Sequence, residues 1–88
     1  MDQEYKIDIS ELKDSEKAKE IGAFLERRLG VKPIVKKKEI KIALPEGSVP
    51  RRELKAILKR ALHYAGIREE FRLLSEAISS FKIKKRGD

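Results

Sequence analysis

One stretch of the chain, residues 50–66, reads PRRELKAILKRALHYAG and has the pattern of an amphipathic helix. Pro50 suits the first turn of a helix, because its missing N–H would have no partner there in any case. Gly66 suits the position just after a helix ends. Between them, apolar residues recur at three- and four-residue spacing, which places them on one face. This apolar stripe consists of Leu54, Ile57, Leu58, Ala61, Leu62 and Ala65.

The other side chains of this helix are mostly cationic, and Glu53 is the only acid among them. With about 100° of rotation per residue, we expect the face opposite the stripe to carry Arg51, Arg52, Lys55, Lys59 and His63, with Arg60 at its margin. Such a face would contact several phosphates of a nucleic acid at once. The alternative is a solvated face, since Lys and Arg are good helix formers. A solvated face usually carries Glu four residues from Lys, so the shortage of acids favours nucleic-acid binding.

The sequence before this helix predicts a strand followed by another amphipathic helix. Tyr5, Ile7 and Ile9 alternate with polar residues, as in a half-buried strand. Asp14 or Ser15 can cap the helix that follows. The apolar stripe of that helix consists of Ala18, Ile21, Leu25 and Leu29, with Phe24 beside it and Gly30 at its end.

Short runs with two-residue periodicity predict the remaining strands. Their apolar positions are Ile34 and Val35, then Ile40, Ile42 and Leu44, then Phe71 and Leu73, and finally Phe81 and Ile83. A hairpin turn is expected at residues 36–39 and a turn region at 75–80. The predicted order is β-α-β-β-α-β, and a terminal hairpin can add one more strand. We therefore expect a single domain over residues 1–88, an α/β (α+β) sandwich with two amphipathic helices on one face of a mostly antiparallel sheet.

Composition and charge indicate a polyanionic partner. Charged residues make up 42% of the 88 residues, against ~25% in an ordinary domain, and the net charge is +7. Residues 1–30 carry six basic and eight acidic residues, a net charge of −2, so residues 31–88 carry +9. We expect one electropositive face from the C-terminal two-thirds, with the first strand and helix facing elsewhere. The chain lacks Asn, Thr, Trp and Cys and is rich in Lys, Glu, Arg and Ile, which is typical of proteins from thermophiles.

Two further basic clusters are candidate nucleic-acid contacts. One is the hairpin turn with Lys36, Lys37 and Lys38, and the other is the C-terminal segment with Lys82, Lys84, Lys85 and Arg86. Lysines at turns and sheet edges also prevent aggregation, so the alternative interpretation remains open for both clusters. All aromatic residues except Tyr64 fall on faces assigned to the core. Few stacking residues beside many cations favour recognition of a folded RNA by its phosphates over binding of an unstructured strand.

The chain lacks the residues that several classes of function require. Without Cys, and with His63 as the only His, no metal site or cofactor is expected. Glu69 and Glu70 are adjacent, so their carboxylates point apart and make a poor acid–base pair. An acylphosphatase-like enzyme would need a glycine-rich loop after the first strand, where residues 10–14 have no Gly. We expect no enzyme and no small-molecule substrate.

The polar, acidic N-terminus and the lack of an ~18-residue apolar run predict a cytoplasmic protein without a targeting segment or membrane contact.

Residues 20–85 resemble a known family. Val49-Pro50, the helix at residues 51–62, Ile67-Arg68 and the segment Phe71-Arg72-Leu73-Leu74 are similar to the eukaryotic-type large-subunit ribosomal protein twenty-two family (L-twenty-two-e). In that family a Val-Pro also precedes a helix with basic pairs, and an Arg-acid-aromatic segment leads into a strand. Residues 24–31 resemble the family's first helix and its exit, and residues 40–42 its central strand. His63 and Tyr64 depart from the pattern, since the family has further lysines there.

The resemblance implies a structural protein of the large ribosomal subunit, in a short archaeal-like form, or else a distant paralogue that binds a different RNA. Its partners would be ribosomal RNA and neighbouring ribosomal proteins. The positions that match the family's basic helix are Arg51, Arg52, Lys55, Lys59 and Arg60. The alternative is an accessory domain outside the ribosome that binds another nucleic acid or a protein.

Overall fold

Seven elements follow one another along the chain, and the computed structural model describes them over residues 2–86. They are β1 (Asp2–Asp8), α1 (Ser15–Leu29), β2 (Ile34–Val35), β3 (Glu39–Pro45), α2 (Arg51–Tyr64), β4 (Phe71–Ala77) and β5 (Ser80–Lys85). The order β-α-β-β-α-β is confirmed, and the terminal hairpin does add a further strand. Neither helix of residues 2–86 is long and apolar enough to cross a bilayer.

The five strands form one sheet in the order β2-β3-β1-β5-β4. β1 pairs antiparallel with β3, β2 with β3 and β4 with β5, whereas β1 and β5 are parallel. The sheet is therefore mostly antiparallel, as expected. β5, the last strand of the chain, lies beside β1 rather than at the edge, where the sequence placed it. The edge position belongs to β4, because the terminal hairpin returns β5 towards the centre.

Both helices pack on one face of this sheet and enclose a single core. The fully buried side chains of greatest volume are Ile7, Ile9, Ile21, Leu25, Ile40, Ile42, Leu54, Leu58, Phe81 and Ile83. Every member of the apolar stripe predicted for α2 is buried. Within residues 2–86 no polar or charged residue is buried as a whole, so nearly all the charge of these residues lies at the surface.

Local signals fix where the helices begin and end. The Asp14 carboxylate accepts hydrogen bonds from the backbone N–H groups of Glu16 at 3.0 Å and Lys17 at 3.2 Å, so Asp14 is the cap of α1. Gly30 ends α1 with φ of 72°, a conformation that favours glycine. α2 starts after Pro50, which provides no side-chain cap. The turn expected at 75–80 is shorter than predicted, since β4 continues to Ala77 and β5 starts at Ser80.

The topology brings four segments to one end of the sheet. β1 and β5 run in the same direction and both end there, and the loop at 9–14 leaves β1 at this end. The 36–38 turn is also here, because Glu39 at the start of β3 pairs with Asp8 at the end of β1. The loop between α2 and β4 is here too, because Phe71 at the start of β4 pairs with Lys85 at the end of β5.

Candidate nucleic-acid interface

An open cleft between α2 and the edge strand β4 gathers cations from four parts of the chain. It encloses about 520 Å³, and its floor includes Leu62, Phe71 and Leu73. Its polar walls are formed by Lys59, Arg60 and His63 of α2 together with Arg68, Arg72 and Arg86. We call it the arginine cleft. Four arginines, one lysine and one histidine therefore surround a shallow apolar floor.

Each wall of the arginine cleft is positioned by the fold around it. Burial of the α2 stripe leaves Lys59 and Arg60 at the surface. Alternation along β4 buries Phe71 and exposes Arg72. Arg86 is held by two contacts: its backbone N–H donates to the Glu70 carbonyl at 2.8 Å, and its Nε donates to the Arg68 carbonyl at 3.2 Å.

The nearest carboxylates lie beside this cleft: Glu69 and Glu70 line the adjoining depression, which shares His63, Arg68 and Arg86 with it. No acidic residue lines the arginine cleft itself. The ion pairs found in residues 2–86 are Lys17–Glu20 at 3.5 Å, Lys41–Glu39 at 3.7 Å and Lys82–Glu11 at 3.4 Å, and none includes a cation of the arginine cleft. Like charges held together without partners repel one another, and a polyanion would relieve that repulsion.

A second depression at the same end gathers lysines. It encloses about 640 Å³ between the start of α1 and the 36–38 turn, over an apolar floor that includes Leu12, Ala18 and Val35. Its cations are Lys13, Lys19, Lys36, Lys37 and Lys38. We call it the lysine cleft, and the two clefts together form the basic end. Its one acid, Asp14, already accepts the two N–H groups that cap α1.

Lys13 and Lys19 correct the expectation that the first strand and helix face away from the electropositive surface. Although residues 1–30 have a net charge of −2, the start of α1 borders the 36–38 turn. Charge counted along the sequence misses this proximity, because β2 returns the chain to the end from which α1 departed.

The four residues of the predicted C-terminal cluster lie in different surroundings. Arg86 lies in the arginine cleft. Lys82 is half-buried and pairs with Glu11, so part of its charge is compensated. Lys84 is exposed on the open face of the sheet, where it pairs in register with Arg72. Lys85 is exposed, and its backbone N–H donates to the Glu11 carboxylate at 3.2 Å.

Arg51 is exposed, but its side chain reaches the β4–β5 hairpin and does not stand opposite the stripe, as the helical wheel had suggested. Its guanidinium donates to the carbonyls of Ile78 at 2.9 Å and Ala77 at 3.0 Å and to the Ser75 hydroxyl. It also lies 5.3 Å from the centroid of the Phe81 ring. These contacts fasten the start of α2 to the β4–β5 hairpin. Arg51 precedes the buried Leu58 by about two helical turns, so the two residues lie on the same side of α2.

The other cations predicted on α2 are not equivalent either. Lys55 is half-buried and Arg52 is exposed. Arg52 lies near the end of the sheet opposite the basic end, since α2 starts there. Of the five helix positions predicted to bind RNA, only Lys59 and Arg60 line the arginine cleft.

Four cations of the basic end were missing from the predicted site. They are Lys13, Lys19, Arg68 and Arg72. Arg68 and Arg72 follow α2 in a segment of weak periodicity, and only the return of β4 along α2 shows that they share a cleft with it. A signal did exist, because both residues belong to the Ile67-Arg68 and Phe71-Arg72 motifs that carry the family resemblance.

Asp8 is an acidic residue near this end whose ionisation is stabilised. The Ser10 backbone N–H donates to its carboxylate at 2.8 Å. Hydrogen bonds from the amide and hydroxyl of Ser10 lower the pKa of Asp8, burial opposes the shift, and the charge of Lys82 adds to the lowering. Asp8 is therefore ionised throughout the neutral range.

The residues of the basic end offer several cationic side chains, which are suited to anion binding. Within residues 2–86 no group of three His, Asp or Glu side chains is placed to hold a metal ion. No protein-family model matches the chain, and no curated protein matches it.

Proposed function

We propose that this protein binds folded RNA through its basic end. The observation that carries the proposal is the arginine cleft, where five cations from α2, the following loop, β4 and the end of β5 line one concave surface without a carboxylate. Each phosphate that such cations neutralise releases condensed counterions, which favours binding.

A folded RNA fits this surface better than an unstructured single strand. Most of the cations are attached to packed elements, so the positions of their backbones are set before binding, which suits phosphates whose spacing is also fixed. Proteins that bind unstructured strands normally present several exposed aromatic rings for stacking. Tyr64 is 53% exposed, but Tyr5, Phe71 and Phe81 are at most 9% exposed. A single exposed ring leaves the phosphates as the main target.

The resemblance to the L-twenty-two-e family supports ribosomal RNA of the large subunit as the physiological RNA. On this proposal the protein is a structural, non-enzymatic component of cytoplasmic ribosomes and contacts neighbouring ribosomal proteins. The matched positions Lys59 and Arg60 line the arginine cleft, and the motif residues Arg68 and Arg72 line its other wall. The alternative remains an accessory domain that binds another nucleic acid or a protein.

The test compares two variants that each lose one lysine and one arginine. Lys59→Gln with Arg72→Gln removes a cation from each wall of the arginine cleft. Arg27→Gln with Lys32→Gln removes exposed cations at the end of α1 and just after it, away from both clefts. We expect the cleft variant to bind folded large-subunit RNA at least tenfold more weakly and to sediment less with large subunits, while the control behaves like the wild type.

Two results would count against the proposal. Equally weakened binding in both variants would mean that binding follows net charge and that the cleft is not the interface. If the protein bound duplex DNA tightly and did not sediment with large subunits, the accessory-domain alternative would be favoured.

A further inference from the structure

Tyr64, the last residue of α2, exposes an aromatic ring beside the cations of the basic end. The residue is 53% exposed, whereas the other tyrosine, Tyr5, is only 9% exposed. The Tyr64 ring packs against Phe24 of α1, with 5.3 Å between ring centroids and 35° between ring planes. Contact with Phe24 therefore holds the ring while more than half of the residue faces solvent.

The surroundings of Tyr64 are suited to a nucleotide. Arg60 lies one helical turn earlier, and residues four apart on a helix are neighbours at the surface. Arg60 and the adjacent His63 both line the arginine cleft. A flat apolar surface thus borders a concentration of positive charge, and a nucleotide carries a flat base and a negative phosphate.

We propose that the Tyr64 ring is a stacking platform for one unpaired nucleobase of the RNA held at the basic end. The base covers the exposed ring, and Arg60 neutralises a phosphate of the same nucleotide or its neighbour. This inference rests on the proposed function and adds the feature of the RNA that is recognised. Every base has a π face, so the platform selects an unpaired base without selecting its identity.

A fixed ring lowers the cost of stacking. Phe24 restricts the orientations of the Tyr64 side chain before RNA arrives, so less conformational freedom is lost on binding. Phe24 is therefore a positioning residue for the platform. If the Phe24–Tyr64 pair served only to join the two helices, changing Tyr64 would alter the stability of the protein and leave its choice of RNA unchanged.

The test uses two RNA hairpins with identical stems, one of which carries a single bulged nucleotide. We expect the wild type to bind the bulged hairpin more tightly by a factor of about 5–150, the equivalent of the roughly 1–3 kcal/mol contributed by one base stacked on an aromatic side chain. Tyr64→Leu should lose this preference and keep its affinity for the fully paired hairpin. Tyr64→Phe retains the ring and should retain the preference.

A measurement on the wild type makes the test independent of how the variants fold. The chain has no Trp and only two Tyr, and one of those is buried, so quenching of tyrosine fluorescence reports mainly on Tyr64. We expect quenching by the bulged hairpin and little by the paired one. Equal affinity for both hairpins, or an unaltered preference in Tyr64→Leu, would overturn the platform and leave RNA binding intact. Absence of binding to either hairpin would overturn both proposals.

Discussion

The guanidinium of Arg51 illustrates how neighbouring residues of one type acquire different roles. Arg51 contacts two carbonyls, one hydroxyl and one aromatic ring of the β4–β5 hairpin. Arg52, one residue later and about 100° further round the helix, is exposed. The first arginine joins two elements, whereas the second is available to a partner. A planar group with several donors is needed for the first role, and lysine would not replace it.

Arg51→Ala should therefore lower stability more than Arg52→Ala does. Loss of hydrogen bonds from a charged, partly exposed group should reduce the free energy of unfolding by about 1–2 kcal/mol. Arg52→Ala should change it by no more than about 0.5 kcal/mol, as is usual at the surface. Urea unfolding measures both. Equal midpoints for the two variants would mean that the hairpin contacts contribute nothing to stability.

Asp8 gives a prediction about acid stability. The pKa of Asp8 is lowered in the folded protein by the Ser10 hydrogen bonds, so the folded state binds this proton less readily than the unfolded state does. The resulting stability is present above the pKa of an unfolded aspartate, about 3.9, and is lost as the pH falls through the lower folded value. Asp8→Asn should be less stable than the wild type at pH 7 and should lose less stability between pH 5 and 2. Thermal melts across that range measure this. If the melting temperatures of the two proteins fell in parallel as the pH was lowered, the prediction would be wrong.

At the scale of elements, α2 serves the core with one face and the cleft with another. Leu58, only 1% exposed, lies on the core face, and Lys59 follows it on the cleft wall. Leu58→Ala should lower the free energy of unfolding by roughly 2–4 kcal/mol because it removes buried methyl groups and leaves a cavity. Ala56→Ser, at an exposed position of the same helix, is the control. An unchanged denaturation midpoint for Leu58→Ala would mean that α2 is oriented differently and that its cations point elsewhere.

The contact of α1 with β2 depends on a glycine. A Cβ atom at Gly22 would lie 2.6 Å from Cγ2 of Val35, closer than packed atoms allow. Gly22→Ala should therefore lower stability in the wild type, although alanine forms helices better by about 1 kcal/mol. In a Val35→Ala background the same change should raise stability by about 0.5–1 kcal/mol. A double-mutant cycle measures this coupling, and simple additivity would contradict the close approach.

Residue patterns within single elements predicted most of the helices and strands of this fold. They did not predict how those elements pair with one another. The α2 stripe, the Asp14 cap and the Gly30 helix end follow from residues a few positions apart. By contrast, the parallel pairing of β5 with β1 joins residues more than seventy positions apart, such as Ile7 and Phe81, and no short-range pattern encodes it. The role of Arg51 was misjudged for the same reason, since the wheel contains no information about where the β4–β5 hairpin returns.

At the scale of the whole molecule, the candidate site is a product of topology. The cations of the arginine cleft span positions 59 to 86 and those of the lysine cleft span 13 to 38. Both sets lie at the same end of the sheet, because β1 and β5 end together and the loops around them turn there. A depression lined by Glu11, Asp14 and Glu70 lies between the two clefts. Three basic clusters were predicted from sequence as separate candidates; the structure unites the 36–38 turn, the end of α2 and Arg86 at one end and leaves Arg51 and Arg52 at the other.

The salt dependence of RNA binding tests whether cations from several parts of the basic end contact phosphates. If phosphate contacts dominate, the logarithm of the affinity should fall linearly with the logarithm of salt concentration, with a slope that corresponds to about four to eight contacts. That range requires contributions beyond a single helix face, because α2 supplies only Lys59 and Arg60 as charged walls of the arginine cleft. Measurements at four or more salt concentrations, with one folded RNA, define the slope.

The variants then show whether the two clefts bind one RNA together. Lys59→Gln with Arg72→Gln, and separately Lys36→Gln with Lys37→Gln, should each reduce the magnitude of the slope by about 0.7–0.9 for every phosphate that the variant no longer neutralises. Arg27→Gln with Lys32→Gln removes the same net charge away from the clefts and should weaken binding slightly with an unchanged slope. If only the first variant changes the slope, the arginine cleft binds RNA alone and the lysines of the 36–38 turn are solvated. A nearly flat response in the wild type would mean that phosphate contacts do not drive binding at all.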